Sequence, residues 1–281
     1  TAALAAAGIT RDTPNPLNGE IVRDAASEPT GNLQETATLL VRDKIPPRTV
    51  GERAADLQIA LAQMNAQGIT AMVEAAADAD TIAAYEMLQR RGDLNTRVRL
   101  CQRFDQSDTD DAAQLQRFVT ARARIAAVDG SGNLDANCVK ILLDGGYGSR
   151  SVALLKPYAI PGLGIGKLFV EPDRLNRLVS QLDALGFQVH VHAIGDRTVR
   201  AALDAVEVAR KTNSRRGLPH TFAHLSLVDL ADAPRFRQLD VMPNMTPLWS
   251  RPDPWQTVFA VEMFGPERAS TAYRTRTLAE D

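Results

Sequence analysis

The sequence predicts an α/β protein built on a parallel sheet. Two observations carry this. Six short apolar segments alternate with helical ones between about position 50 and position 245, and strands separated by helices imply parallel neighbours. The apolar segments are near-continuous, as strands covered on both faces are. The bulk numbers agree: 281 residues, 44% hydrophobic and 23% charged, is ordinary globular composition. It suits one large barrel or two smaller domains.

The elements follow in order. Positions 1–8 read as the tail of a helix stopped by Gly8, because glycine accepts the left-handed conformation that closes a helix. The same stretch lacks a basic segment and makes a poor secretory signal. Pro14, Pro16, Gly19, Pro29 and Gly31 punctuate the next part. Extended pieces at 20–23 and 31–35 flank a polar turn at 25–28, which reads as a small β-hairpin excursion. A helix over 50–67 carries Ala54, Leu57, Ala60, Leu61 and Met64 on one stripe. Gly68 stops it, and a strand covers 69–73. Helices at 79–91, 110–127, 171–185, 196–211 and 231–238 then alternate with strands at 97–101, 136–143, 187–192, 220–224 and 241–245. Six such units fit an open doubly wound sheet or an unfinished (β/α)8 barrel, and periodicity does not decide between them. No G-x-G-x-x-G follows the first strand and no Walker A sequence occurs, which weakens dinucleotide and P-loop readings.

Charge and cysteine usage narrow the function classes. A net charge of −2 gives no electrostatic case for nucleic acid or an anionic membrane. No apolar run reaches the roughly 18 residues of a membrane span. Cys101 and Cys138 lie in strand-like stretches and read as two lone thiols in a reducing, cytoplasmic compartment.

The chemistry concentrates on three strands. All four histidines, His190, His192, His220 and His224, fall on two consecutive strands. Period-two alternation puts His190 with His192 on one face, and His220 with His224 on one face. His192 and His224 sit at the C-terminal strand ends, where parallel barrels carry their chemistry, and neutral imidazoles there suit zinc. His190 and His220 lie deeper and read as hydrogen-bonded core histidines. On the preceding strand, Lys140 stands among apolar residues, which is costly unless its charge is paired or lost. An ion pair with Asp144, a Schiff-base role, a carbamylated ligand and a snorkelling surface lysine all fit. Gly145, Gly146 and Gly148 open a loop where Tyr147, Ser149 and Arg150 are placed to contact substrate or anchor the loop. Asp196 reads as the N-cap of the next helix. Trp249 and Trp255 line a pocket or pack their own loop.

The segments VKILLDGGYGSR (139–150), VHVHAIGDRTVRAALDAVE (189–207) and HTFAHLSLVDLADAPRFRQLDVMPNMTPLW (220–249) resemble the amidohydrolase superfamily. They are most similar to the amidohydrolase 3 group that includes N-substituted formamide deformylases, and the hairpin region 8–37 resembles an insertion of that group. The resemblance implies a (β/α)8 TIM barrel holding one or two divalent metals, expected to be zinc. By motif position it implies Lys140, often carboxylated, His192 and His224 as metal and catalytic residues. Asp144, Tyr147, Arg150 and Trp249, from their places in the loops, are the expected substrate contacts. The implied activity is metal-assisted hydrolysis of a small amide-like or formamide-like C–N bond.

Two departures matter. The family's His-x-His pair at the end of strand one has no counterpart before His190, and the aspartate at the end of strand eight has none before the chain stops at Asp281. The six strands are therefore expected to be barrel strands two to seven. Residues 1–48 would form the hairpin segment and 49–281 an incomplete barrel. Such a fragment is expected to bind metal weakly, show little activity and expose two sheet edges open to homo-oligomerisation. Two other readings stand beside this one: a non-catalytic barrel used for binding or assembly, and a Schiff-base lyase using Lys140.

Overall fold

The computed structural model describes residues 2–17, 19–213 and 218–280. The chain divides into two compact units, Thr1–Thr49 and Val50–Asp281. In the first, helix α1 (Ala2–Ala6) ends at Gly8, whose φ of 65° supplies the left-handed stop. Strands β1 (Gly19–Arg23) and β2 (Pro29–Glu35) pair antiparallel, with Ile21 opposite Leu33. Asp24 closes their turn by accepting from the amides of Ala26 and Glu28. A short helix α2 (Leu39–Arg42) follows. Leu4, Ile9, Ile21 and Ala37 form this unit's own small core.

The second unit begins with α3 (Val50–Ala66). Six strands follow: β3 (Ala71–Ala77), β4 (Arg97–Arg103), β5 (Leu134–Leu142), β6 (Gln188–Ala193), β7 (His220–His224) and β8 (Val241–Asn244). They pair in sequence order, all parallel, as one curled half-barrel sheet. Each crossover contains a helix: α4 (Ala79–Arg91), α5 (Asp111–Val128), α6 (Pro172–Ala184), α7 (Asp196–Thr212) and α8 (Ala233–Gln238). Among the described residues three short α-helices follow β8: α9 (Ala260–Phe264), α10 (Pro266–Ala269) and α11 (Thr275–Glu280).

Local sequence explains the boundaries. Asp78 caps α4 by accepting from the Thr81 amide, and Gly92 ends it with φ 74°. Asp110 caps α5 through the Ala113 amide. The strand expected at 69–73 lies at Ala71–Ala77 instead, because the polar Glu74 hid its continuation. In α3 the buried stripe is narrower than expected: Ala54 and Leu61 are buried, while Ala60 faces outward.

One face of the sheet packs against the helices. Val139, Ile141, Val189, Val191 and Phe222 join Leu178, Leu203 and Phe236 in the main core. Ala136 and Leu134 belong to a second core with Val98, Leu100 and Tyr85. Alternation therefore changes phase along β5, and the register shows where. Arg99 pairs with Asp135, yet Cys101 pairs with Cys138, so β5 takes one extra residue and forms a bulge. The Asn137 amide donates to Asp135 Oδ1 at 3.1 Å and holds it. Bulges re-aim the side chains beyond them. This one turns Cys138 and Lys140 onto the face away from the helices.

The bulge also corrects the cysteine reading. Cys101 and Cys138 are not lone thiols but a disulfide between register partners, with Cα atoms 4.2 Å apart. They stand 37 positions apart in sequence, and only the strand register makes them neighbours.

No helix among the described residues is long and apolar enough to cross a membrane.

Candidate metal centre

Lys140, His190 and His192 share the helix-free face. Lys140 pairs with His190 across β5 and β6, and Leu142 pairs with His192. Ala193 pairs with His224 on β7.

His224 reaches the group by breaking the period-two rule. On β7, Phe222 points at the helices, its ring 5.7 Å from that of Phe236 on α8. His220 does the same: its Nε2 lies 3.2 Å from Asp183 on α6, and its Nδ1 accepts from the Val189 amide at 3.1 Å. Alternation would send His224 the same way. Instead it has φ 78°, with Leu225 following at 49°. The left-handed turn brings its ring to 4.4 Å from that of His192, at 61°. The expected common face of His220 and His224 is thus corrected, while His192 and His224 do meet. Strained non-glycine residues of this kind persist where the surroundings hold them.

The electrostatics of Lys140, His190 and His224 are dominated by burial. Lys140 is 6% exposed, and burial pushes its ammonium down to about 8. It makes no hydrogen bond or ion pair among the described residues, so of the roles open to it the ion pair with Asp144 is absent. Burial, reinforced by His192 and Lys140, lowers the His224 imidazole to about 4. Burial, with Lys140 as the next contribution, lowers His190 to about 3. Both rings are neutral at pH 7 and keep a lone pair. His192 Nε2 lies 3.2 Å from the Gly145 carbonyl oxygen. That contact needs the proton on Nε2 and leaves Nδ1 as the acceptor.

Asp144 organises the rim. Its carboxylate is fully buried and accepts from Thr198 Oγ1 at 2.7 Å and from the amides of Gly195, Ile194 and Ala153 at 2.9, 3.1 and 3.2 Å. Burial pushes its pKa up to about 7 against those four hydrogen bonds. Its Oδ1 stands 3.7 Å from His192 Nε2. One carboxylate thus ties the end of β5, the β6–α7 turn and the 152–153 loop together. Asp196 is the first residue of α7 rather than its cap, which is Gly195. Its Oδ1 accepts from the Leu155 amide at 2.8 Å.

The loop residues divide. Tyr147 is buried in an apolar cluster, edge-on to Phe264 at 4.9 Å and stacked on Trp255 at 6.1 Å. Arg150 and Trp249 are exposed. Trp255 also stacks on Phe259 at 4.7 Å, so it packs its own loop. The sequence reads His190 as a core residue, although it faces the same space as Lys140 and its Nε2 finds no hydrogen-bond partner among the described residues. The parity it shares with His192 was the available signal.

The neutral imidazole of His224, the ring of His192 and an easily deprotonated amine are a donor set that fits a divalent cation.

Known proteins share this sequence pattern and this fold. The model of the Amidohydrolase family matches residues 1–281. The chain is 28% identical over 286 aligned positions to the "Putative amidohydrolase YtcJ" of Bacillus subtilis, covering 99% of this chain and 50% of that protein. It is 24% identical to the "N-substituted formamide deformylase" of Arthrobacter pascens, covering 76% of this chain and 39% of that one. A crystal structure described as an uncharacterized metal-dependent hydrolase from Pyrococcus furiosus superposes with a TM-score of 0.73 at 23% identity, over 100% of this chain and 53% of that one. The chain spans about half the length of the first of these relatives.

Proposed function

The chain belongs to the amidohydrolase family, and from that premise we propose that the whole protein hydrolyses a small-molecule C–N bond of amide or formamide type. Lys140, His192 and His224 would hold one or two divalent cations, with zinc as the expected metal, and the six strands would be barrel strands two to seven. The observation that carries this reading is the meeting of His192 and His224 at 4.4 Å, with Lys140 on the adjacent strand opposite His190.

When bound, a divalent cation supplies Lewis acidity and lowers the pKa of water. The chain's own residues do the rest. His224 stays neutral at pH 7, so its lone pair is available without a proton being displaced. His192 is held in one tautomer by the Gly145 carbonyl. Asp144 is a positioning residue: it fixes the β6–α7 turn and stands against the His192 ring. Lys140, lowered to about 8, has a neutral fraction at physiological pH that can attack CO2. A C–N bond forms, a proton leaves, and a repelling cation becomes an oxygen-donor carbamate. Arg150 and Trp249, both exposed, are proposed to contact substrate, and Tyr147 to shape the wall behind them.

The test is metal analysis of the full-length protein together with hydrolysis of a panel of N-substituted formamides and amides. Wild type should carry stoichiometric zinc and turn over part of the panel. His192→Ala and His224→Ala should each lose most of both. Unchanged metal content in both variants would remove these residues from the site. A metal-free, inactive wild type would favour a binding or assembly barrel. Trapping of a carbonyl compound on Lys140 by borohydride would favour the lyase.

A further inference from the structure

The disulfide lies beside a histidine that it does not need. Cys101 and Cys138 are fully buried register partners on β4 and β5. His190, on the next strand, is 4% exposed and places Nδ1 3.6 Å from Cys101 Sγ. The two sulfurs and a ring nitrogen of His190 all lie within 4.8 Å of one another. Nδ1 is the ring nitrogen that faces the sulfurs, and among the described residues Nε2 has no hydrogen-bond partner that would fix the ring against a small shift towards a cation. Two sulfurs and one imidazole on three adjacent, rigid strands form a soft donor set. Zn–S and Zn–N bonds of about 2.3 and 2.0–2.1 Å fall within the reach of side chains so grouped.

We propose that, in the reduced protein, Cys101, Cys138 and His190 form a buried site for a soft divalent cation such as Zn2+, separate from the Lys140, His192 and His224 centre. The disulfide and the metal site are alternative states of the same three side chains. Reduction by a small monothiol breaks the S–S bond. Each cysteine sulfur gains one electron and one proton, and two monothiol molecules are joined as their own disulfide. Cation binding then releases the two thiol protons to solvent. Three protein ligands leave a fourth position for water or another donor. The site depends on the β5 bulge, because only the phase change at 135–138 brings Cys138 opposite Cys101.

Cobalt separates the two centres, since thiolate ligation gives a near-ultraviolet charge-transfer band that nitrogen and oxygen ligands do not. The full-length protein, kept reduced with a phosphine, is titrated with Co2+. The band is expected in wild type, absent after oxidation to the disulfide, lost in Cys138→Ser and in Cys101→Ser, and shifted in His190→Ala. It should persist in His192→Ala, whose loss of metal reports on the other centre. If a serine variant fails to fold, oxidised wild type gives the same comparison. Cobalt uptake by reduced wild type without the band overturns the proposal. So does a band that survives both cysteine substitutions, or two titratable thiols in folded protein that acquire no band in excess Co2+.

Discussion

Gly195 offers the sharpest test of how the centre is held. Its backbone is ordinary, with φ −85°, so any residue accepts the conformation. The obstacle is space. A Cβ there would sit 1.9 Å from the Ala153 carbonyl oxygen and 2.8 Å from both its carbon and Val152 Cγ1. Relief requires the 152–153 segment and the β6–α7 turn to separate by more than about 1 Å, since close packing leaves no slack. Those two segments are clamped by the same atom: Asp144 Oδ2 accepts from Gly195 at 2.9 Å and from Ala153 at 3.2 Å. Separation breaks one of the two bonds. Overpacking costs about 1–3 kcal/mol, and a lost hydrogen bond to a charged group about 1.5–3 kcal/mol. Gly195→Ala should therefore destabilise by about 3–6 kcal/mol in urea unfolding, a large share of typical stability. Where the variant stays folded, disturbing the support of His192 should weaken metal binding by about 10–100-fold. Gly51→Ala is the control: it lies in α3, and its Cβ would meet nothing within 4 Å. It should be neutral or stabilise by up to about 1 kcal/mol. Equal unfolding midpoints for the two variants would mean that the close approach at Gly195 is not what its glycine serves.

Two further outcomes are expected. Asp183 is buried against Arg210 Nη1 at 2.7 Å and Asn213 Nδ2 at 2.9 Å, with His220 beside it. Asp183→Ala strands the buried guanidinium and should cost about 3–5 kcal/mol by chemical denaturation, and a loss below about 1 kcal/mol would discount the pair. Against a burial penalty that raises it, contacts with His220, Asn213 and Arg210 hold the Asp183 carboxyl below its usual value. Its contribution is thus present above the unfolded pKa of about 3.9 and lost as pH falls through the lower folded value. The folded pKa of Lys140 is also depressed, to about 8 against 10.5, but here the charged form is the one that burial penalises. Between those values the unfolded chain binds more protons, so stability rises with pH, and below pH 8 the full penalty applies. In chelator-treated, CO2-depleted buffer, Lys140→Met should stabilise by about 3 kcal/mol at pH 7. The gain should shrink towards pH 10.5, and a pH-independent gain would show that the lysine's charge is not its cause.

How much of this was legible in the sequence depended on the range of the interaction. Helix–strand alternation is local, and the six strands stand in the expected order because each apolar run and each following helix is set by near neighbours. The meeting of His192 and His224 was foreseen, but for an incomplete reason. Strand-end position was right, whereas the face of His224 comes from its positive φ, which no alternation rule contains. The disulfide, the Asp183 contacts and the commitment of Asp144 to three backbone amides were not legible. Each is fixed by register between strands or by the placement of a loop far along the chain. A single extra residue in β5 decides two of the chemical features at once. It changes the phase at which Cys138 meets Cys101 and at which Lys140 meets His190.

The same bulge explains why a lysine is tolerated at this position. Had β5 kept phase with Ala136, Lys140 would face the helices among Val139-type core positions, where an ammonium without a partner has no recourse but deprotonation. On the opposite face it meets His190 and His224, both neutral at pH 7, and burial lowers its pKa only to about 8. What the cluster lacks is an acid: the nearby carboxylate, Asp144, has its oxygens directed to backbone amides and Thr198. A cation could settle among these groups only if the amine first lost its charge or gained an anionic cap. Three ways in which Lys140 can bear on metal binding therefore differ in one measurable respect. Carbamylation makes metal affinity rise with bicarbonate at constant pH. A simple neutral-amine ligand makes it rise with pH alone, and a structural lysine leaves it insensitive to both. Zinc titrations of wild type and Lys140→Met across bicarbonate concentrations at pH 7.5 should show bicarbonate dependence in the first protein and none in the second. Its absence from wild type would strike the carbamate from the site.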